Sequence, residues 1–309
     1  MRNSQNDVLK GCLCAVGCET LYGLSYVLTK TATNTASPFA LLGWRFLVAV
    51  AVMSLCVVLG LVRIDLRGKP AGPLLLVALF NPCIYFLGET LGISRTTASE
   101  SGVILACIPV VSLLASTVVL RKKPSRRQVA GILVTLAGVV VTVCAVGAAS
   151  SLSIVGYAFL LTAVVSYALY SVFVEKASEH TAAEVTYVML VAGAVVFVGL
   201  AVFEALTTGD VAGLMVLPFR DGAFTVAVLF QGIGCSIAAF FLANMAIARI
   251  GVNRASSFIG LATVVSILAG ALLLKETFTA HQAVGACVIV MGVYVANTGK
   301  RSQRPLPAP

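Results

Sequence analysis

Charge is what this sequence has least of. Acidic and basic residues together fill 11 % of the 309 positions, less than half of the roughly 25 % usual for soluble domains, so an ordinary water-facing globule is excluded. Histidine occurs twice and tryptophan once. His180 and His281 fall at helix ends, and no HExxH, GxSxG or His/Cys cluster occurs, which leaves a membrane-embedded enzyme without a recognisable catalytic set. No GxxxxGK[ST] loop is present to cradle ATP, which argues against a primary pump. No cofactor motif is present either.

The nine cysteines (12, 14, 18, 56, 83, 107, 144, 235, 287) all fall within apolar stretches rather than outward loops, so a disulfide framework is not expected. They serve as small packing residues. Cys14 and Cys18 share a helix face, but no further Cys or His lies nearby in sequence and a metal site needs three or four ligands. No metal role is assigned.

What fills the chain instead is apolar sequence. Ten stretches read as membrane helices, at 8–29, 38–62, 71–93, 100–120, 128–147, 154–174, 185–205, 222–247, 255–274 and 281–298. At 1.5 Å per residue a run of ~20 spans the ~30 Å hydrocarbon core. Without period-2 alternation these runs fit helices rather than barrel strands. The expected fold is an all-α integral membrane protein. Glu19 interrupts the first stretch and no small-x-small cleavage site follows it, so that helix is expected to remain rather than be removed as a signal.

The formal charge of +9 would suit nucleic acid if it were read as a bulk property, but its placement explains it otherwise. With the amino terminus cytoplasmic, sixteen basic residues fall inside and four (Lys30, Arg95, Arg220, Lys275) outside, with Arg45 within a helix. That bias predicts both termini on the cytoplasmic side of the cell membrane. The densest cluster, Arg121–Arg127, lies in a short connection between apolar helices and reads as a topology anchor rather than a nucleic-acid or lipid patch. The carboxyl-terminal 301–309 reads as a short disordered tail.

The chain also repeats itself. Shifted by 154 residues, Val110–Val141 lies over Val264–Val295, matching Ser112 with Ser266, Gln128 with Gln282, Gly131 with Gly285 and Gly138 with Gly292. Earlier in each half the shift is 145, pairing Gly11 with Gly156 and Tyr22 with Tyr167, and the difference falls in a long loop around Thr207–Phe219. The matched glycines are expected to let helices approach closely. Five helices per half, 1–150 and 151–309, force the second copy to enter the membrane inverted, the plan by which many secondary transporters build two gates around one midplane site.

Several stretches carry a resemblance: Ser37-Pro38 through Trp44-Arg45, Gly102–Pro109, and Leu274–Gly285 with its Lys275-Glu276. With the five-plus-five plan, the chain resembles the drug/metabolite transporter superfamily, and within it the EamA-type transporters. The first half departs at Lys122, which stands where the second half has Glu276. The resemblance implies a secondary transporter, often an exporter of amino acids, metabolites or drugs.

A charge near the bilayer centre costs ~3 kcal/mol by insertion scales, so intramembrane polar groups are the functional candidates. Glu19 lies near the midplane, with Tyr22 and Tyr26 on the same stripe; its repeat counterpart is Val164. It reads either as a proton-coupling or cation-binding carboxylate, or as a carboxyl held between helices. Arg45 and Glu89 enter adjacent helices from the outside to depths of ~8–11 Å. Three readings stay open for Arg45: an ion pair with Glu89, direct binding of a substrate carboxylate, or snorkelling to the interface. Asn81, Tyr85, Tyr167, Tyr170, Gln231 and Asn244 complete a candidate cavity, and Asn81-Pro82 is expected to kink the third helix. The leading function is secondary transport of a small organic solute, with protons a candidate coupling ion through Glu19; the alternative is a passive facilitator or channel. The partners are the lipid bilayer and the solute, not nucleic acid, and a homodimer is left open.

Overall fold

A computed structural model describes residues 2–32, 36–96, 104–144, 153–273 and 280–298. The described residues are helical and contain no strand. The helices are α1 (Arg2–Ala32), α2 (Pro38–Val58), α3 (Ala71–Ile93), α4 (Ile108–Val119), α5 (Arg126–Cys144), α6 (Ile154–Lys176), α7 (Ala182–Thr208), α8 (Val211–Arg220), α9 (Gly222–Ile250), α10 (Val252–Leu272) and α11 (Ala280–Asn297). Seven of them, α2, α3, α6, α7, α9, α10 and α11, are long and apolar enough to cross a membrane. The other three expected spans correspond to α1, α4 and α5. The Lys275-Glu276 motif and the tail beyond Thr298 lie outside the described residues.

Local chemistry sets the helix starts. Ser37 Oγ accepts from Ala40 N–H at 3.0 Å, with Pro38 opening α2; Pro suits a first turn whose N–H would be unpaired in any case. Thr181 and Glu184 form a reciprocal capping box on α7, and Asp221 caps α9 through Ala223 and Phe224.

Three features differ from expectation. The loop around Thr207–Phe219 contains the additional helix α8, because Gly209 takes a left-handed turn (φ 75°) and Asp210 then accepts from Gly213 N–H at 2.9 Å, two ordinary stop and start devices. The fourth helix is broken by a turn at Ala106-Cys107, leaving Ile108–Val119 as a run of 12 residues, ~18 Å. Thirdly, α9 carries a π-helical segment, Phe230–Ala239, that no residue type announced. The kink expected in α3 is present: Asn81 is non-helical (φ −143°, ψ 118°) within the π segment Leu79–Ile84.

The main helix contacts join residues before 150 to residues after it. α1 packs on α9 and α10 while α6 packs on α3 and α4; α2 packs on α7, and α5 on α11. The α5–α11 crossing is built on the four repeated glycines. A side chain at Gly131 would meet Gly292 O and Ala296, and one at Gly285 would meet Gly138 O and Thr142. The 154-residue shift carries the first set of contacts onto the second. The contact between α5 and α11 is therefore self-complementary under that shift. The central core, Phe46, Phe86, Phe197, Phe240, Tyr170 and Leu190, lies where α2, α3, α6, α7 and α9 meet. There Gly193 makes room for the Phe46 ring.

Ion pairs join the helix connections at one end: Asp7 with Arg249 at 2.7 Å, Lys69 with Glu184 at 2.8 Å, and Lys122 with Glu175. Glu175 also accepts from Val252 N–H at 2.9 Å and Glu184 from Asp65 N–H at 3.1 Å. At the opposite end Trp44 Nε1–H donates to Leu214 O at 3.0 Å, tying α2 to α8.

Candidate functional site

Glu19 lies on α1 and is 6 % exposed. It faces a cleft lined by Ala15 and Cys18 of α1, Tyr167 and Ser171 of α6, Ala243, Ala246 and Ile247 of α9, and Ala255 and Ser256 of α10. Small residues leave the space, and the polar atoms on the wall are few. Among the described residues no hydrogen bond or ion pair reaches the Glu19 carboxyl, and Ser256 Oγ is buried without a partner. Two polar groups thus share one cleft with no partner for either among the described residues, and such groups call for an explanation. Tyr22 is half-buried on the same helix, against Cys18 and Ala243. The Tyr26 side chain lies outside the described residues.

From this cleft an aromatic row runs across the molecule. Tyr167 contacts Tyr170 and Tyr85 at ring separations of 5.3 and 5.5 Å, and Tyr85 contacts Phe86 at 5.0 Å. Tyr170 donates to Asn244 Oδ1 at 2.7 Å, and Asn244 Nδ2 donates to Thr186 Oγ1 at 3.0 Å and reaches Met189 Sδ at 3.4 Å. That network ties α6, α7 and α9 together and holds Tyr170 and Asn244 as wall rather than as open ligands.

At the far end of the row stands Arg45, 5 % exposed. The expected ion pair is not formed. Arg45 Nε donates to Ser236 Oγ at 2.7 Å and Nη1 to Gln231 Oε1 at 3.4 Å, while Glu89 Oε1 accepts from Tyr85 Oη–H at 2.8 Å. The Phe86 ring stands 4.7 Å from the guanidinium and the Phe46 ring 5.4 Å from it. Burial also removes snorkelling as an account of Arg45.

Ser236 is the residue sequence reading missed. Five positions separate it from Gln231, which on an α-helix at ~100° per residue sets the two ~140° apart. The π segment brings residues five apart onto one side, so both grip the same guanidinium. Asn81, in the corresponding break of α3, is 3 % exposed with Oδ1 unpartnered. Interruption of a membrane helix, as in α3 and α9, is an arrangement by which membrane proteins free polar groups in an apolar interior.

Among the described residues no group of three metal-ligating side chains comes together. An apolar helical bundle with an internal cleft and isolated buried charges is an architecture suited to a membrane transport protein. The chain belongs to the EamA-like transporter family, of the drug/metabolite transporter type: the family model matches twice, over residues 9–144 and 154–298. It is 31 % identical over 289 residues to "Uncharacterized transporter YcxC" of Bacillus subtilis, covering 92 % of each chain. A protein of Salmonella typhimurium named "Probable amino-acid metabolite efflux pump" is 24 % identical, covering 92 % of this chain and 93 % of that one. The same fold occurs in a solved chain described as "Crystal structure of protein", with a TM-score of 0.76 at 21 % identity, covering 93 % of this chain and 98 % of the other.

Proposed function

We propose that the protein is a secondary transporter of ten membrane helices, arranged as two inverted five-helix repeats (1–150 and 151–309), that exports a small organic solute from the cytoplasm by alternating access, with Glu19 as the proton-coupling carboxylate. The observation that carries the coupling reading is the buried Glu19, without a partner among the described residues, in a cleft walled by α1 from one half and α6, α9 and α10 from the other. A carboxylate there is unfavourable as an anion until water or a cation reaches it. Rocking of one half against the other would expose it to each side in turn, the physical requirement for exchange.

Three further observations support the plan. The family pattern recurs in both halves, the glycine contacts between α5 and α11 map onto themselves under the repeat, and both third helices are broken by π segments. Outward direction and a small organic cargo draw on the printed name of the Salmonella relative.

The test of class is uptake into proteoliposomes: uphill, saturable solute movement on an imposed pH gradient is expected, whereas movement only down the solute's own gradient would favour the facilitator. Orientation is a separate prediction. The connections carrying most of the basic residues share one end, tied by the Asp7–Arg249, Lys69–Glu184 and Lys122–Glu175 pairs, so the positive bias belongs to a single face. In the cell membrane, reporters fused after Pro309 and inserted in α8 should report the cytoplasm and the exterior respectively. Both on one side would discard the ten-helix plan.

A further inference from the structure

We propose that Arg45 is the anchor for an anionic group of the transported solute, so that the cargo is a small organic carboxylate. The proposal rests on the transporter reading and names the substrate class of the same site. Its ground is the company Arg45 keeps. A guanidinium is always charged and presents five N–H donors. Here it is 5 % exposed, held by one hydroxyl and one amide oxygen, and its Nη2 is buried without an acceptor among the described residues. The faces of Phe86 and Phe46 attract the cation, but a ring face satisfies charge, not a directed in-plane N–H.

The nearby carboxylate does not supply what is missing. Glu89 has turned to Tyr85, and among the described residues no carboxylate lies within ion-pair distance of Arg45. A cation buried among neutral partners is costly, and an oxyanion arriving from outside relieves the cost. A carboxylate oxygen reaching Nη2 would make a charge-assisted hydrogen bond, roughly twice as strong as a neutral one.

The supporting geometry is specific. Ser236 and Gln231 project from the π segment of α9 and engage Nε and Nη1, which leaves Nη2 as the donor without a partner among the described residues. Phe86 and Phe46 pack beside it and make its surroundings apolar. Through Phe86 and Tyr85 the anchor communicates with Tyr167 and the Glu19 cleft, so anion and proton sites lie on one path.

The experiment uses the full-length protein in nanodiscs and proteoliposomes. Trp44, the single tryptophan of the chain, precedes Arg45 and reports binding by fluorescence. The probes are small carboxylates, from acetate and phenylacetate to the proteinogenic amino acids, each beside its primary amide. At least one acid is expected to bind saturably at least about tenfold more tightly than its amide, the usual worth of a charge-assisted pair. Arg45→Lys should weaken that acid by about tenfold, because one point charge replaces a fork, and Arg45→Gln should abolish the preference for acid over amide.

Gln231→Glu covers the case in which Arg45 variants fail to fold. It places a resident carboxylate beside the guanidinium, so the melting temperature should hold or rise while acid binding is lost. Acid binding at wild-type strength in Gln231→Glu or Arg45→Gln overturns the proposal, as does a wild-type protein that binds none of the acids or binds acids and amides alike. Transport in the same proteoliposomes separates the two levels: pH-driven movement confined to uncharged or cationic solutes removes the anion anchor and leaves the transporter standing, whereas no solute movement removes the transporter reading itself.

Discussion

Glu19→Gln abolishes net solute movement driven by a pH gradient while leaving the protein folded; that is the expected result with the largest functional effect. The substitution keeps the volume of the side chain and its capacity to hydrogen-bond, so the cleft with Tyr167, Ser171 and Ser256 stays filled. It removes the one property exchange depends on, the ability to release a proton on one side and regain it on the other. Glutamine is the neutral isostere of the carboxylic acid, so the variant should melt close to the wild-type temperature. Solute binding and solute-for-solute exchange should survive where the carboxylate is not itself a ligand. The measurement is counterflow and pH-driven uptake in matched proteoliposomes. Wild-type uphill transport by Glu19→Gln at every imposed gradient would sink coupling through this residue.

The second large effect is on stability, at the crossing of α5 and α11. Gly131→Ala puts a methyl within 2.6 Å of Gly292 O and closer still to Ala296 N, and Gly138→Ala puts one 2.8 Å from Ile289 N and 2.9 Å from Gly285 O. Those obstacles are backbone and cannot rotate away, so the helices must separate along their length. Overpacking of this kind costs about 1–3 kcal/mol, and Val in place of Ala more. Gly285→Ala meets first the hydroxyl of Thr142, a side chain, which sits there because it donates to Gly138 O at 2.9 Å. Its damage should therefore be partly relieved by Thr142→Ala, whereas no side-chain change relieves Gly131→Ala. Thermal melts of detergent-purified single and double variants test this. Equal rescue of both glycines, or of neither, would show that the contact does not govern the crossing.

Ion pairs at the basic end contribute differently. Arg249 with Asp7 is solvent-exposed and is worth little by itself. The Glu184 carboxylate is 3 % exposed and binds both Lys69 Nζ and Asp65 N–H, so it joins the connection before α3 to the start of α7 and closes that end of the molecule.

Membrane class and most of the apolar helices were legible in the residue string, because each is a sum of local preferences. Hydropathy over ~20 residues decides whether a segment enters a bilayer, and a shift of 154 brings Gly131 and Gly138 onto Gly285 and Gly292 without reference to coordinates. The Asn81-Pro82 break was equally local, since proline removes a backbone donor. Glu19 stood out for the same reason: one carboxyl in an apolar run is conspicuous wherever the chain goes.

Tertiary structure alone decided which polar groups meet. Matched depth on adjacent helices pointed Arg45 toward Glu89, yet depth is one coordinate of three, and rotation about the helix axis sent Glu89 to Tyr85 and Arg45 to α9. There a π segment with no residue signature put Ser236 beside Gln231, a pairing that a 3.6-residue period assigns to different faces. The α8 helix depended on a left-handed Gly209 followed by an Asp cap, small local signals that a long polar-tipped loop obscured. Sequence thus determined what enters the membrane and where it repeats, since those follow from transfer energies of contiguous segments. The partners of a buried charge follow from long-range register, helix rotation and backbone irregularity, and these exist only once the halves have packed.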